Sequence, residues 1–141
     1  MYGVTASEDD RNALCVMVIA AGWHKNRAHN ARQLCDTVQS SADFRCTVRP
    51  ATLGTAAYKR RHAYAELIPT SHSIWQTPGK AGAFLSKAFA LQEIRDSDCN
   101  MTLVLEDDAA FAPDFFFRMR RLVAAPPAKF DLIQLHAPAS R

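Results

Sequence analysis

The sequence Met101-Thr102-Leu103-Val104-Leu105 runs directly into three consecutive carboxylates, Glu106-Asp107-Asp108. An apolar run that contains a β-branched residue predicts a buried strand of a parallel sheet. In open α/β sheets, ligands bind outside the carboxyl ends of the strands. A divalent cation would relieve the repulsion among the three acids, and carboxylates are the ligands that Mg²⁺ and Mn²⁺ prefer. The corner therefore predicts a metal site; the alternative is a strand that enters a solvated acidic turn.

The length and composition indicate one globular domain. A chain of 141 residues can bury a core, and 48% hydrophobic with 22% charged residues is typical of globular proteins. The formal net charge of +3 is too small to indicate a nucleic-acid-binding protein. We expect residues 1–12 to be a disordered N-terminal segment and residues 13–141 to form the domain.

The cysteines carry no recognisable metal or disulfide pattern. Their spacing includes no C-x-x-C pair and no matching histidines, so a zinc site is not indicated and no disulfide framework can be deduced. We predict small buried thiols in a reducing compartment. The four residues are Cys15, Cys35, Cys46 and Cys99.

No targeting or membrane segment is predicted at the start of the chain. The apolar run Ala13–Ala21 is too short to span a bilayer, and the acidic residues before it do not suit a secretory signal. The run therefore predicts a first buried strand. The expected localisation is cytoplasmic, with no transmembrane segment.

The order of predicted elements alternates between strands and helices, which is typical of a nucleotide-binding sheet. Thr77-Pro78 predicts a helix start, with threonine as the cap and proline at the first helical position. The helix that follows should turn Phe84, Leu85, Ala88, Leu91 and Ile94 toward the sheet. Strands are predicted at 14–19, 44–48, 101–105 and 131–135, and helices after Asn26 or Asn30, after Thr77 and at 115–123.

Residues across most of the chain resemble the pattern of one protein family. Before Thr77 the resemblance is weak and depends on the strand Val16–Ile19 and the nearby Arg27; from Thr77 onward it is stronger. The downstream residues are Thr77-Pro78-Gly79, Gly82, Ser86, 90–94, Leu103–Asp108, Pro113-Asp114-Phe115 and Asp131–Leu135. In order and spacing, this stretch from Thr77 to His136 resembles glycosyltransferase family 25, which includes lipooligosaccharide and collagen galactosyltransferases.

The resemblance implies a GT-A-like fold, that is, a Rossmann-like mixed sheet flanked by helices in a single domain, with 13–141 as the donor-binding half. It implies a metal-dependent glycosyltransferase, as in lipopolysaccharide biosynthesis. Such an enzyme transfers galactose or glucose from a UDP-sugar to a hydroxyl of a glycan or a hydroxylysine-type acceptor.

The resemblance also implies a set of site residues. Asp108, supported by Glu106, would hold Mn²⁺ or Mg²⁺, and the ion would stabilise the charge of the leaving diphosphate. No catalytic base is assigned. The residues that would contact the UDP-sugar donor are Arg27, Lys80, Ser86, Glu106 and Asp107.

Two other functions are compatible with these residues. Lys80, Ala83 and Lys87 stand where the family pattern usually has Glu, Cys and His, which favours a non-catalytic nucleotide-sugar-binding or scaffold module of the same fold. A Mg²⁺-dependent phosphotransferase would also use the acids, but no glycine-rich phosphate loop follows the first strand.

The position of the last predicted strand leads to one more expectation. Asp131–Leu135 lies close to Arg141, where the sequence ends. We therefore expect a sheet edge without cover near the acidic corner, and self-association through that edge.

Overall fold

The computed structural model describes residues 14–42 and 44–135. The expected disordered segment 1–12 and His136 lie outside the described residues. By compactness the chain divides into two units, Met1–Ala110 and Phe111–Arg141. Its elements are β1 (Cys15–Ala20), α1 (Lys25–Ala42), β2 (Arg45–Pro50), α2 (Gly54–Lys59), α3 (Pro78–Arg95), β3 (Thr102–Glu106) and α4 (Phe115–Ala124), with 3₁₀ turns at Arg61–Tyr64 and Ser73–Gln76.

The first unit is built on a three-stranded parallel sheet with the order β2-β1-β3. In the register, Val16 of β1 lies beside Cys46 of β2 and Leu103 of β3. All six residues of β1 are buried, because this strand has a neighbour on both sides. The predicted α/β class is confirmed, and the sheet formed by the described residues is parallel rather than mixed. The carboxyl ends of all three strands meet at one edge.

Helices flank the sheet, as the alternation of patterns predicted. Helix α1 packs against β1 and β2 and buries Ala31, Cys35 and Val38, whose spacing of three to four residues makes one helical face. Helix α3 packs through Ala90 against Met17 and Ile19 of β1.

The predicted buried face of α3 is confirmed for Leu85, which is fully buried, and wrong for Phe84 and Leu91. Phe84 is 45% exposed and Leu91 is 57% exposed, whereas small residues of the same helix are buried. The reason is a close approach: a Cβ atom on Gly82 would lie 2.6 Å from the carbonyl oxygen of Thr52. The fit of the helix against the segment after β2 therefore decided which face is buried. The buried residues are Ala81, Gly82, Leu85, Ser86 and Ala90.

The third strand is not the buried central strand that its sequence predicts. β3 forms as expected, but within the described sheet it is an edge strand, and Val104 is 38% exposed. The predicted strand Asp131–Leu135 is wrong, because these residues adopt irregular structure and Leu132 is 76% exposed. An apolar run alone does not make a strand without a paired neighbour.

The prediction of reduced cysteines is also wrong. Disulfide bonds join Cys15 to Cys99 and Cys35 to Cys46. The first pair is 84 residues apart in sequence, and the parallel pairing of β1 with β3 brings the two residues together. Disulfides persist in oxidising compartments, and the expected cytoplasmic localisation stays a prediction. Among the helices of the described residues, none has the length and apolar character needed to cross a membrane.

The second unit contains α4 and an aromatic cluster. The ring of Phe111 lies 4.8 Å from that of Phe115 and 5.0 Å from that of Phe116. Met119 is buried, whereas Phe117 is 64% exposed. The predicted helix is therefore confirmed, and its phenylalanines form a local core only in part.

Candidate functional site

A cleft of about 350 Å³ opens where the three strands have their carboxyl ends. The chain passes from β1 to β2 on one side and then to β3 on the other, so the direction of winding reverses between β1 and β3. Ligands of open α/β sheets bind at such a reversal, and this volume is typical of small-molecule sites. The cleft is lined by Ile19 at the end of β1, by Ala21, Trp23 and Arg27 after β1, by residues 51–55 after β2, by Gly79, Ala83, Ser86 and Lys87 of α3, and by Glu106 and Asp107.

Asp107 is the buried carboxylate of the acidic corner, with a side chain only 1% exposed. One of its oxygens, Oδ2, accepts a hydrogen bond of 2.7 Å from the backbone N–H of Ala21. The other, Oδ1, accepts one of 2.7 Å from Nε of Arg27 and lies 2.5 Å from Nη2 of the same guanidinium. A buried charge needs such partners, because burial alone would disfavour the ionised carboxylate strongly. Asp107 therefore ties the end of β3 to the segment after β1.

Glu106 and Asp108 point away from this buried contact. Glu106 lines the cleft, and its Oε1 lies 3.7 Å from Nζ of Lys87. Asp108 lines a second cleft of about 230 Å³, and its Oδ2 lies 3.6 Å from Nη2 of Arg27. Both carboxylates are more than half exposed, so these longer ion pairs are weak.

The positive charge expected among the acids is supplied by the chain itself. Arg27 reaches Asp107 and Asp108, and Lys87 reaches Glu106. Within residues 14–42 and 44–135, no three side chains of the types His, Cys, Asp and Glu are grouped so as to hold a metal ion. A cation at this corner would therefore depend on the two exposed carboxylates, both of which can turn in solvent.

Ser86 and Lys80, which were also predicted to contact the UDP-sugar, differ in their position relative to the cleft. Ser86 lines it, but its hydroxyl is occupied: Oγ accepts a hydrogen bond of 2.8 Å from the N–H of Thr52 and donates one of 2.7 Å to the carbonyl of Gly82. Lys80 is exposed near the start of α3 and does not line the cleft. Thr77 precedes α3 as predicted, although its side chain makes no capping hydrogen bond.

Some lining residues were not predicted from the sequence. Trp23 and Leu53 line the cleft from the segments after β1 and β2, and they are 46% and 40% exposed. Gly54 begins α2 in contact with the start of α3, where a Cβ atom would collide with the backbone of Pro78. In the sequence, Gly54 lies shortly after Pro50, where β2 ends. A glycine in such a place can indicate that two backbones approach closely.

Comparison of the chain with known proteins identifies no family. No family model, no curated protein and no solved structure matches it. The resemblance to glycosyltransferase family 25 therefore stays a prediction.

Proposed function

We propose that this chain is a hexosyltransferase that binds a UDP-sugar in the cleft at the carboxyl edge of the sheet. It would transfer galactose or glucose to a hydroxyl acceptor on a glycan or a protein. The observation that carries the proposal is the pairing of two cations, Arg27 and Lys87, with carboxylates at the winding reversal of a parallel sheet. That location is where α/β folds bind nucleotides.

The residues of the cleft suit a leaving group that gains negative charge. When the bond between the sugar and the diphosphate breaks, charge develops on the phosphate oxygens, and fixed cations nearby stabilise it. Arg27 is held in place by Asp107, so its guanidinium is oriented before a ligand arrives. Lys87 is exposed and can move from Glu106 toward a phosphate.

In this proposal, Glu106 and Asp108, which line separate clefts, would turn toward each other to hold Mn²⁺ or Mg²⁺, and the ion would neutralise part of the diphosphate charge. Asp107 is not available as a ligand, because Arg27 and the Ala21 N–H already use both of its oxygens. The proposed cation site therefore rests on two carboxylates rather than three.

A second function, a nucleotide-sugar-binding module without turnover, is favoured by the same ion pairs. Arg27 and Lys87 neutralise the acidic corner without a metal ion. The two functions differ in chemistry, not in donor binding. Release of free hexose from UDP-galactose or UDP-glucose, or transfer of the hexose to an added hydroxyl acceptor, would support the transferase. Donor binding with neither reaction detected by chromatography would support the module.

The decisive experiment is calorimetric titration of UDP, UDP-galactose and UDP-glucose with and without Mn²⁺. We expect Mn²⁺ to strengthen UDP binding by the wild type, and Asp108→Asn to remove that dependence while leaving the fold intact, since an exposed aspartate contributes little to stability. Glu66→Gln is the matched control, because Glu66 is exposed and lines neither cleft. Equal UDP affinity in all three proteins, with and without Mn²⁺, would contradict the metal-dependent proposal.

A further inference from the structure

The cleft has two chemically different halves, and the strand order separates them. The segment after β2 contributes apolar lining, including Ala51 and Leu53, whereas the side toward β3 contributes Glu106 and Asp107 together with their cationic partners Lys87 and Arg27. Since β2 and β3 flank β1, the two halves lie about 10 Å apart, which is two strand spacings. A ligand that fills the cleft should therefore be apolar at one end and charged at the other.

Trp23 is the largest apolar side chain in the cleft, and it is 46% exposed. It follows β1, the strand between the two halves. An indole ring in a cleft offers a flat face on which a planar ring can stack. By contrast, Trp75, the other tryptophan of the chain, is 4% exposed in the core, where its Nε1–H donates to the carbonyl of Pro69.

The segment that presents Trp23 is fixed at both of its ends. His24 donates its backbone N–H to the carbonyl of Ala21 over 2.9 Å, which closes a turn with Trp23 at one of its two central positions. Asp107 accepts from the N–H of Ala21 on one side of the turn and from Arg27 on the other. A turn held in this way has little entropy left to lose when a ligand stacks on its aromatic residue.

We propose that Trp23 is the platform on which the base of a nucleoside diphosphate stacks, with the diphosphate directed toward Arg27 and Lys87. This inference rests on the proposed function, because it assigns the two ends of the same donor. Asp107 is then a positioning residue: it touches no part of the ligand and orients both the turn that carries Trp23 and the guanidinium of Arg27. A nucleotide has the layout that the cleft requires, since a ribose separates its apolar ring from its charged phosphates.

Binding of uridine, UDP and pyrophosphate to variants of Trp23 tests the assignment. In Trp23→Ala, we expect UDP affinity to fall about ten- to a hundredfold, the range for loss of one base–aromatic stack, with pyrophosphate affinity unchanged. Trp23→Phe keeps an aromatic face and should bind UDP within about threefold of the wild type. Phe117→Ala removes an exposed aromatic ring outside the cleft and is the matched control.

Tryptophan fluorescence supplies a readout that a merely structural role would not change. Uridine should quench the emission of the wild type, and Trp23→Phe should lose this quenching while still binding UDP in the calorimeter. An unchanged UDP affinity in Trp23→Ala would overturn the stacking inference and leave the proposed function standing. Quenching by uridine and UDP, with neither release of hexose from UDP-hexose nor transfer to an added hydroxyl acceptor, would uphold the stacking and favour the binding module over the transferase.

Two further outcomes would overturn the inference. If neither uridine nor UDP binds the wild type, both the platform and the proposed donor are wrong. If free galactose binds with the same dependence on Trp23 as uridine, the indole is a platform for the sugar and not for the base.

Discussion

β1 and β3 are neighbouring parallel strands of similar apolar sequence, yet they differ sharply in burial. Val18 of β1 is fully buried, whereas Val104 of β3 is 38% exposed. The first strand is paired on both sides and covered by α1 and α3, and the third is paired only with β1 among the described strands. Apolar composition therefore predicts that a strand forms, and its neighbours decide how much of it is buried.

The difference also shows what attaches β3 to the rest of its unit. Beyond the ladder with β1, two of the attachments are the disulfide between Cys15 and Cys99 and the buried contact of Asp107 with Ala21 and Arg27. One lies before the strand and the other lies directly after it. Each can be removed separately by mutation.

Removal of the Cys15–Cys99 disulfide should have the largest effect. In the chain-entropy account, a crosslink that closes a loop of 84 residues stabilises the folded state by about 4–5 kcal/mol, whereas one that closes 11 residues contributes about 3 kcal/mol. We expect the Cys15→Ala/Cys99→Ala protein to be less stable in urea unfolding than the Cys35→Ala/Cys46→Ala protein. The reverse order would show that β3 does not depend on its crosslink.

Loss of the Asp107 side chain should have a smaller effect than loss of the Cys15–Cys99 disulfide. Asp107→Ala leaves the N–H of Ala21 without its acceptor, and an unsatisfied buried donor costs about 1–3 kcal/mol. The ion pair adds less, because the side chain of Arg27 is 41% exposed and regains water. Asp108→Ala is the matched control and should change the free energy of unfolding by less than about 0.5 kcal/mol. Similar losses for both variants would contradict the distinct environments of the two aspartates.

Identical truncations in β1 and β3 measure the burial difference directly. Val18→Ala should cost about 2–3 kcal/mol, since it removes two fully buried methyl groups and leaves a cavity. Val104→Ala should cost less than about 1 kcal/mol, because the side chain is already partly in water. Chemical denaturation of both variants tests the comparison. Equal costs would mean that β3 is covered in solution, for example by self-association through its edge.

The smallest effect concerns an exposed ion pair near the start of β2. A hydrogen bond from Arg45 holds the pKa of the Asp98 carboxyl below its ordinary value of 3.8. A lowered folded-state pKa stabilises the fold above the unfolded value, and this contribution is lost as pH falls through the folded value. The stability difference between wild type and Asp98→Asn should therefore shrink as the pH is lowered below about 4.

Asp96 offers the control for this acid dependence. Its pKa is also lowered by a hydrogen bond from an arginine, Arg95, but this arginine is its neighbour in sequence. Such a contact can persist in the unfolded chain, so Asp96→Asn should show a weaker dependence on pH. If the stability loss of Asp96→Asn depends on pH as strongly as that of Asp98→Asn, the contact between Arg45 and Asp98 across 53 residues contributes no more than a contact between sequence neighbours.

Local patterns were sufficient to predict much of the first unit. The apolar run of β1, the buried stripe of α1 and the proline at the start of α3 each depend on residues close together in sequence. The placement of the acids at the carboxyl end of a strand was predictable for the same reason. By contrast, the predicted strand Asp131–Leu135 failed, because a strand needs a partner that its own sequence does not contain.

The local sequence pattern was enough to predict an α/β unit with a carboxylate corner, because periodicity and turn residues act over short distances. Which carboxylate is buried was set by the folded chain, since the partners of Asp107 are 86 and 80 residues away. It also decided the disulfide pairing and placed Trp23 in the cleft. These choices depend on strand order and on close packing between distant segments, which no local pattern records.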